Sequence, residues 1–176
     1  MMGTQFIICV ETNQKCNSDY IYIKSAIEQF YLLDNASVRL SPVYMDGKGN
    51  YCSKKTLKRI ATLSQQYTVT SKNAKNVVLC CVDCDEYDSK PEDVLFLQNV
   101  KKYCEEKEYH FVWFCKNIEM VFLGTSILDN EKYKEARLFI SKHKIVQVDI
   151  QKMRAKTYRN KHSNLCSVLD EYLIEK

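Results

Sequence analysis

Glycine and proline are scarce in this chain, at four and two of 176 residues. There is no GxGxxG and no GxxxxGK[ST], so the glycine-rich loops that cradle nucleotide phosphates are excluded. Long apolar runs are missing too. None approaches the ~18 residues needed to span a bilayer, which predicts no membrane segment. The opening "MMGTQFIICVETN" has neither a basic leader nor an extended apolar stretch, and it reads as a first strand rather than a secretory signal. It also lacks the Ser/Thr of a myristoylation signal. Histidine is limited to three residues, and no Ser-His-Asp or Cys-His arrangement follows from their spacing. His110 and His143 read as packing or surface residues; His162 adjoins Lys161, but nothing in its spacing demands a role.

Cysteine, by contrast, is abundant: nine residues, at positions 9, 16, 52, 80, 81, 84, 104, 115 and 166. An odd count with no export signal predicts free thiols in a reducing compartment, and hence a cytoplasmic protein. Cys81 and Cys84 form a CxxC, but a zinc site needs a second pair, and Cys104 and Cys115 lack the spacing. In a strand pattern these cysteines act as small apolar residues.

A composition of 45% hydrophobic and 27% charged residues is globular, and the length suits one domain. Strand patterns at about residues 5–10, 37–45, 76–83 and 109–116 alternate with helical ones. The helices are expected at 17–33 (N-cap Ser18 or Asp19), 53–69 (apolar side Leu57, Ile60, Ala61, Leu63) and 90–108, where Pro91 near the first turn does no harm. A short helix over "NIEMVFLGTSI", another over "NEKYKEARLFISKH", a strand or helix flank at "KIVQVD" and a final helix capped at Ser163 complete the chain. Pro42 demotes the second strand to an edge or bulge, and Trp113 packs in the fourth. No repeat or linker interrupts the series. The expectation is one α/β domain over residues 1–176, with a mainly parallel sheet and helices on both faces.

In such sheets ligands bind at the carboxyl ends of the strands. Acids gather there: Glu11 after the first strand, Asp83 and Asp85 after the third, Glu119 after the fourth. In "VVLCCVDCDEYD" an apolar run closes on carboxylates that repel one another unless a proton or cation sits between them. Asp83 and Asp85 would share one side of an extended segment. Hard oxygen ligands suit Mg²⁺ or Mn²⁺. The alternative is a polar loop that caps the next helix. Farther on, residues 141–161 hold Lys142, Lys144, Lys152, Arg154, Lys156, Arg159 and Lys161 against Asp149 alone, more positive than the +4 of the whole chain. Such a stripe suits a polyanion or is a solvated face.

The order of these elements resembles the TOPRIM domain shared by topoisomerases, primases and several nucleases. The likeness rests on Glu11 in "FIICVETN" and on Asp83 and Asp85 in "VVLCCVDCDEYD". It is closest to small stand-alone nucleases of the RloB type, through Asn117 and Glu119 in "WFCKNIEMVFL" and through Lys161, Ser163 and Asn164 in "YRNKHSNLCSVLDEYL". The chain departs from the family at Thr12, where a glycine is usual. The resemblance implies a Rossmann-like fold and metal-dependent cleavage of nucleic acid, DNA or RNA, in bacterial or phage defence. Glu11, Asp83, Asp85 and Glu119 would be metal ligands, with Glu11 alternatively a general base and Lys161 a charge on the scissile phosphate. Lys152, Arg154, Lys156, Arg159 and Lys161 would hold the backbone. A protein partner or homodimer is compatible with a chain that carries no second domain. Two rivals are a catalytically silent binding or regulatory subunit, and a phosphotransfer receiver domain. The receiver expects an acidic pair after the first strand, where "CVETNQ" offers one acid.

Overall fold

The computed structural model describes residues 3–34, 36–71 and 73–176. Four strands, β1 (Thr4–Val10), β2 (Val38–Tyr44), β3 (Lys75–Asp83) and β4 (His110–Phe114), form one sheet in the order β2-β1-β3-β4. Every pairing is parallel. Central β1 and β3 are buried nearly throughout, which explains their unbroken apolar sequence. β2 is an edge strand, as Pro42 requires, because a proline has no N–H for a neighbour on both sides.

Helices cover both faces. Phe6, Ile8, Val10, Leu79, Cys81, Val112 and Phe114 point to one face and share a core with α1 (Ser18–Phe30), α4 (Ile118–Leu123), α5 (Lys132–Ser141) and α6 (Leu165–Leu169). On the other face, Ile7, Cys9 and Val78 pack on α2 (Lys54–Thr70), and Cys80, Val82 and Trp113 pack on α3 (Pro91–Lys107). The nine thiols are free. Cys81 and Cys84 lie in the cores of opposite faces, so the CxxC is a product of strand alternation and not a ligand pair.

Several local expectations are corrected. The N-cap of α1 is Asn17, in a left-handed conformation and without a side-chain cap, because the Asp19 carboxylate turns back to Thr12 instead. On α2 the buried positions are Thr56, Ile60, Leu63 and Tyr67, whereas Ala61 is exposed. Residues 144–147 form a 3₁₀ turn. The C-terminal helix spans only Leu165–Leu169 and begins at Asn164; Ser163 Oγ does accept from Leu165 N, at 3.1 Å. Beyond it the chain runs back to the end of α1, where Glu175 bridges Tyr31.

Candidate acidic site at the carboxyl edge of the sheet

β1 and β3 are neighbours and parallel, so the residues that end them emerge side by side. Glu11 Oε1 accepts a hydrogen bond from Asp83 N at 2.8 Å. Asp83 Oδ1 in turn accepts from Ile118 N at 2.9 Å, in the first turn of α4. Asn117 starts that helix by accepting from Met120 N at 2.8 Å. Glu119 follows and is fully buried. Neither Glu119 carboxylate oxygen has a hydrogen-bond partner; the nearest cation is Lys132 Nζ, 3.7 Å from Oε1. A fourth acid, Asp19 in the first turn of α1, is buried beside them and accepts from Thr12 N and from Ser18 Oγ, both at 3.2 Å. Glu11, Asp19 and Asp83 line one narrow crevice with Phe114 and Ile118.

Asp85 takes a different direction. Cys84 N and Asp85 N donate to Phe114 O and Lys116 O, and Asp85 has a left-handed φ of 47°. The extended alternation that would align Asp85 with Asp83 ends at this point. The Asp85 carboxylate pairs with Lys48, from the turn after β2, and Lys48 also holds Asp93 Oδ1 at 3.1 Å. Glu86 and Asp88 of the same loop pair with Lys116 at 3.1 and 3.3 Å.

Crowded buried acids resist ionisation. Burial pushes Glu11 up to about 8, with Asp19 and Asp85 adding to the shift while the Asp83 N–H and Lys48 oppose it. Asp83 is raised well above the carboxylate range, first by burial and then by Glu11, Asp19, Glu119 and Asp85. Burial also raises Asp19 and Glu119, against the pull of Lys132. Burial works to lower Lys132, but Glu119, Asp83 and Asp19 outweigh it and hold the ammonium above its ordinary value.

The donor chemistry fits a hard divalent cation. Both Glu119 oxygens are orphaned, and Glu11 and Asp83 each engage one oxygen with a backbone N–H, leaving Glu11 Oε2 and Asp83 Oδ2 without a hydrogen bond among the described residues. The charge of the cluster is meanwhile met by Lys132, and no three His, Cys, Asp or Glu side chains stand in ligating arrangement among the described residues.

Sequence reasoning missed Asp19, Lys48 and Lys132. Lys48 follows the end of β2 and was open to the same strand-end rule that found the acids. Asp19 has the look of a helix cap, and Lys132 is one of two lysines on a charged helix, so neither carries a local signal.

The basic segment is divided. Arg154 is held by Asp170 through Nε at 2.8 Å and by Glu175 through Nη2 at 2.7 Å. Lys152, Lys156, Arg159 and Lys161 are exposed and make no ion pair among the described residues. Lys161 Nζ stands 3.8 Å from where a Cβ on Gly124 would lie, at the C-terminal end of α4. It therefore lies beside the C-terminal end of α4, whereas Glu119 is in the first turn of that helix. His110 pairs with the Tyr172 hydroxyl at 2.7 Å, a packing role.

No described helix is long and apolar enough to cross a membrane. Comparison with protein-family models, curated proteins and solved structures finds no match to this chain.

Proposed function

We propose that this protein is a Mg²⁺- or Mn²⁺-dependent nuclease of TOPRIM type, which hydrolyses phosphodiester bonds at the carboxyl edge of the sheet. One observation supports the reading: acids from two neighbouring strand ends meet where parallel sheets build sites, with Glu11 bonded to the backbone of Asp83, and the buried Glu119 oxygens lack hydrogen-bond partners in the helix that follows β4. Asp83, Glu119 and Glu11 would hold the ion, with Asp85 available from the same loop once released from Lys48. When bound, the ion supplies water activation and charge neutralisation on the phosphate.

The protein's own groups do the rest. Burial raises Glu11 to about 8, so it holds its proton at neutral pH without a cation; a bound ion would favour the carboxylate, the form that a general base toward water needs. Lys161 presents a flexible point charge that suits a phosphate oxygen. Lys152, Lys156 and Arg159 attract the backbone without reading sequence. A nuclease of this type belongs in the cytoplasm, in phage defence, alone or with a protein partner.

A second reading is favoured by Lys132. An ammonium 3.7 Å from Glu119 offsets its charge, though without a hydrogen bond, and lets the acidic cluster persist without metal, as in a catalytically silent subunit that binds nucleic acid. Mn²⁺ binding, followed by electron paramagnetic resonance, separates the two. The nuclease reading expects wild type to bind Mn²⁺ and Asp83→Asn to bind it far more weakly; no binding by the folded wild type supports the silent subunit.

A further inference from the structure

A groove of about 540 Å³ runs along the free side of edge strand β4, within the ~300–1,000 Å³ range of small-ligand sites. An open strand edge ordinarily invites a peptide to add as a further strand. Here that edge is already filled. Asn164 donates from Nδ2 to Phe111 O at 2.8 Å and accepts at Oδ1 from Trp113 N at 2.9 Å, and Cys115 N donates to His162 O at 2.9 Å. What the groove offers instead is an aromatic face between lysines. The Tyr158 ring lies 5.0 Å from the Trp113 ring and 5.8 Å from the Tyr87 ring, centroid to centroid, and Tyr158 is 38% exposed. Lys101 and Lys156 line the same groove, with Glu105 the one acid among them. Neither lysine makes an ion pair among the described residues. Tyr87 belongs to the loop that carries Asp85 and follows Asp83 at the end of β3, although the groove and the acidic site share no lining residue.

We infer that this groove binds a single-stranded segment of nucleic acid, with a base stacked on Tyr158 and its flanking phosphates on Lys156 and Lys101. Stacked aromatics beside cations are how single strands are held without sequence preference, because every base has a π-face. A duplex keeps its bases inside and offers nothing to Tyr158. The inference deepens the nuclease reading and rests on its nucleic-acid substrate: it makes single strands, or unpaired ends and loops, the preferred class.

Trp113 is the sole tryptophan of the chain and touches Tyr158, so its fluorescence reports on the groove directly. The test is a titration in EDTA, with no cleavage, using oligo(dT), oligo(U) and a duplex of equal length. Either single strand should quench Trp113 and bind more tightly than the duplex. Tyr158→Ala should weaken single-strand binding by about tenfold, the scale of one missing base stack, and Tyr158→Phe should bind close to wild type. Lys156→Ala, at an exposed position that leaves the edge-to-face aromatic cluster intact, should lower the salt slope by roughly 0.7 for one phosphate no longer neutralised. Absence of quenching by either single strand, duplex binding that matches theirs, or Tyr158→Ala and Lys156→Ala that both bind like wild type would overturn the inference. The two readings fail separately: quenching without any cleavage in Mn²⁺ keeps the groove and removes the nuclease, and cleavage that Tyr158→Ala leaves unchanged removes only the groove.

Discussion

Glu11 and Asp83 are 72 residues apart in sequence, yet Glu11 Oε1 accepts the backbone N–H of Asp83 at 2.8 Å. That bond fixes the Glu11 carboxylate to the end of the neighbouring strand. It also places one acid against another in a half-buried position, and this sets how the protein responds to pH.

Without metal, stability should fall as the pH rises from weakly acidic to weakly alkaline. A carboxyl group whose pKa is higher folded than unfolded stabilises fully below the unfolded value, and that contribution is lost as pH climbs to the folded value. For Glu11 the window runs from 4.5 to about 8. Asp83, Asp19 and Glu119 shift in the same direction. Melting temperatures in EDTA should decline across this window for wild type and decline less for Glu11→Gln, whose amide oxygen still accepts from Asp83 N. Identical profiles would mean that Glu11 ionises freely.

Asp83→Asn should not destabilise the metal-free protein. The amide oxygen can still accept from Ile118 N, while one of several repelling charges disappears. Its melting temperature in EDTA at pH 8 should equal or exceed that of wild type. A simple capping aspartate predicts the reverse, a loss of about 0.5–2 kcal/mol.

Lys132→Met should be costly, because it leaves Glu119 buried with no cation. Lys132 is 22% exposed and Glu119 wholly buried, so the pair belongs with buried ion pairs, where removal of one partner costs about 3–5 kcal/mol. The loss should be smaller at pH 5 than at pH 8, since Glu119 takes up a proton readily. The double variant Lys132→Met/Glu119→Gln should recover much of the stability. Urea unfolding of wild type, Lys132→Met, Glu119→Gln and the double variant at both pH values checks this, and additive losses would show the two side chains to be independent.

Much of this arrangement was legible in the sequence, for identifiable reasons. Buried parallel strands have continuous apolar sequences, so "QFIICVE" and "NVVLCCVD" announced themselves, and Pro42 correctly marked β2 as an edge. Glu11, Asp83 and Glu119 followed from strand ends alone. Asp85 did not behave as a two-residue repeat suggests, since a left-handed backbone turns it toward Lys48. Lys132 was hidden for a different reason: the pairing of a half-buried lysine at the start of a charged helix is set by tertiary packing, which no local pattern encodes. Arg154 illustrates the same limit, because its partners Asp170 and Glu175 lie 16 and 21 residues away.

Nucleic-acid affinity should depend on salt through the unpaired cations of the basic segment. Changing Lys152, Lys156 and Arg159 together to Ala should flatten the slope of log affinity against log salt by roughly 0.7–0.9 for each phosphate left without its cation. Arg154→Ala alone should change stability more than the slope, because its guanidinium is held by two carboxylates. An unchanged slope in the triple variant would leave the stripe as a solvated face.

The most direct test of the central claim is cleavage. Wild type and Asp83→Asn, matched for folding by circular dichroism, are incubated with single-stranded and duplex DNA and RNA in Mg²⁺, in Mn²⁺ and in EDTA. The metal-dependent nuclease predicts that wild type cuts at least one substrate with a divalent ion, that EDTA abolishes cutting, and that Asp83→Asn is inactive though folded. Wild type that cuts nothing with either ion, or Asp83→Asn that cuts as well as wild type, would contradict it.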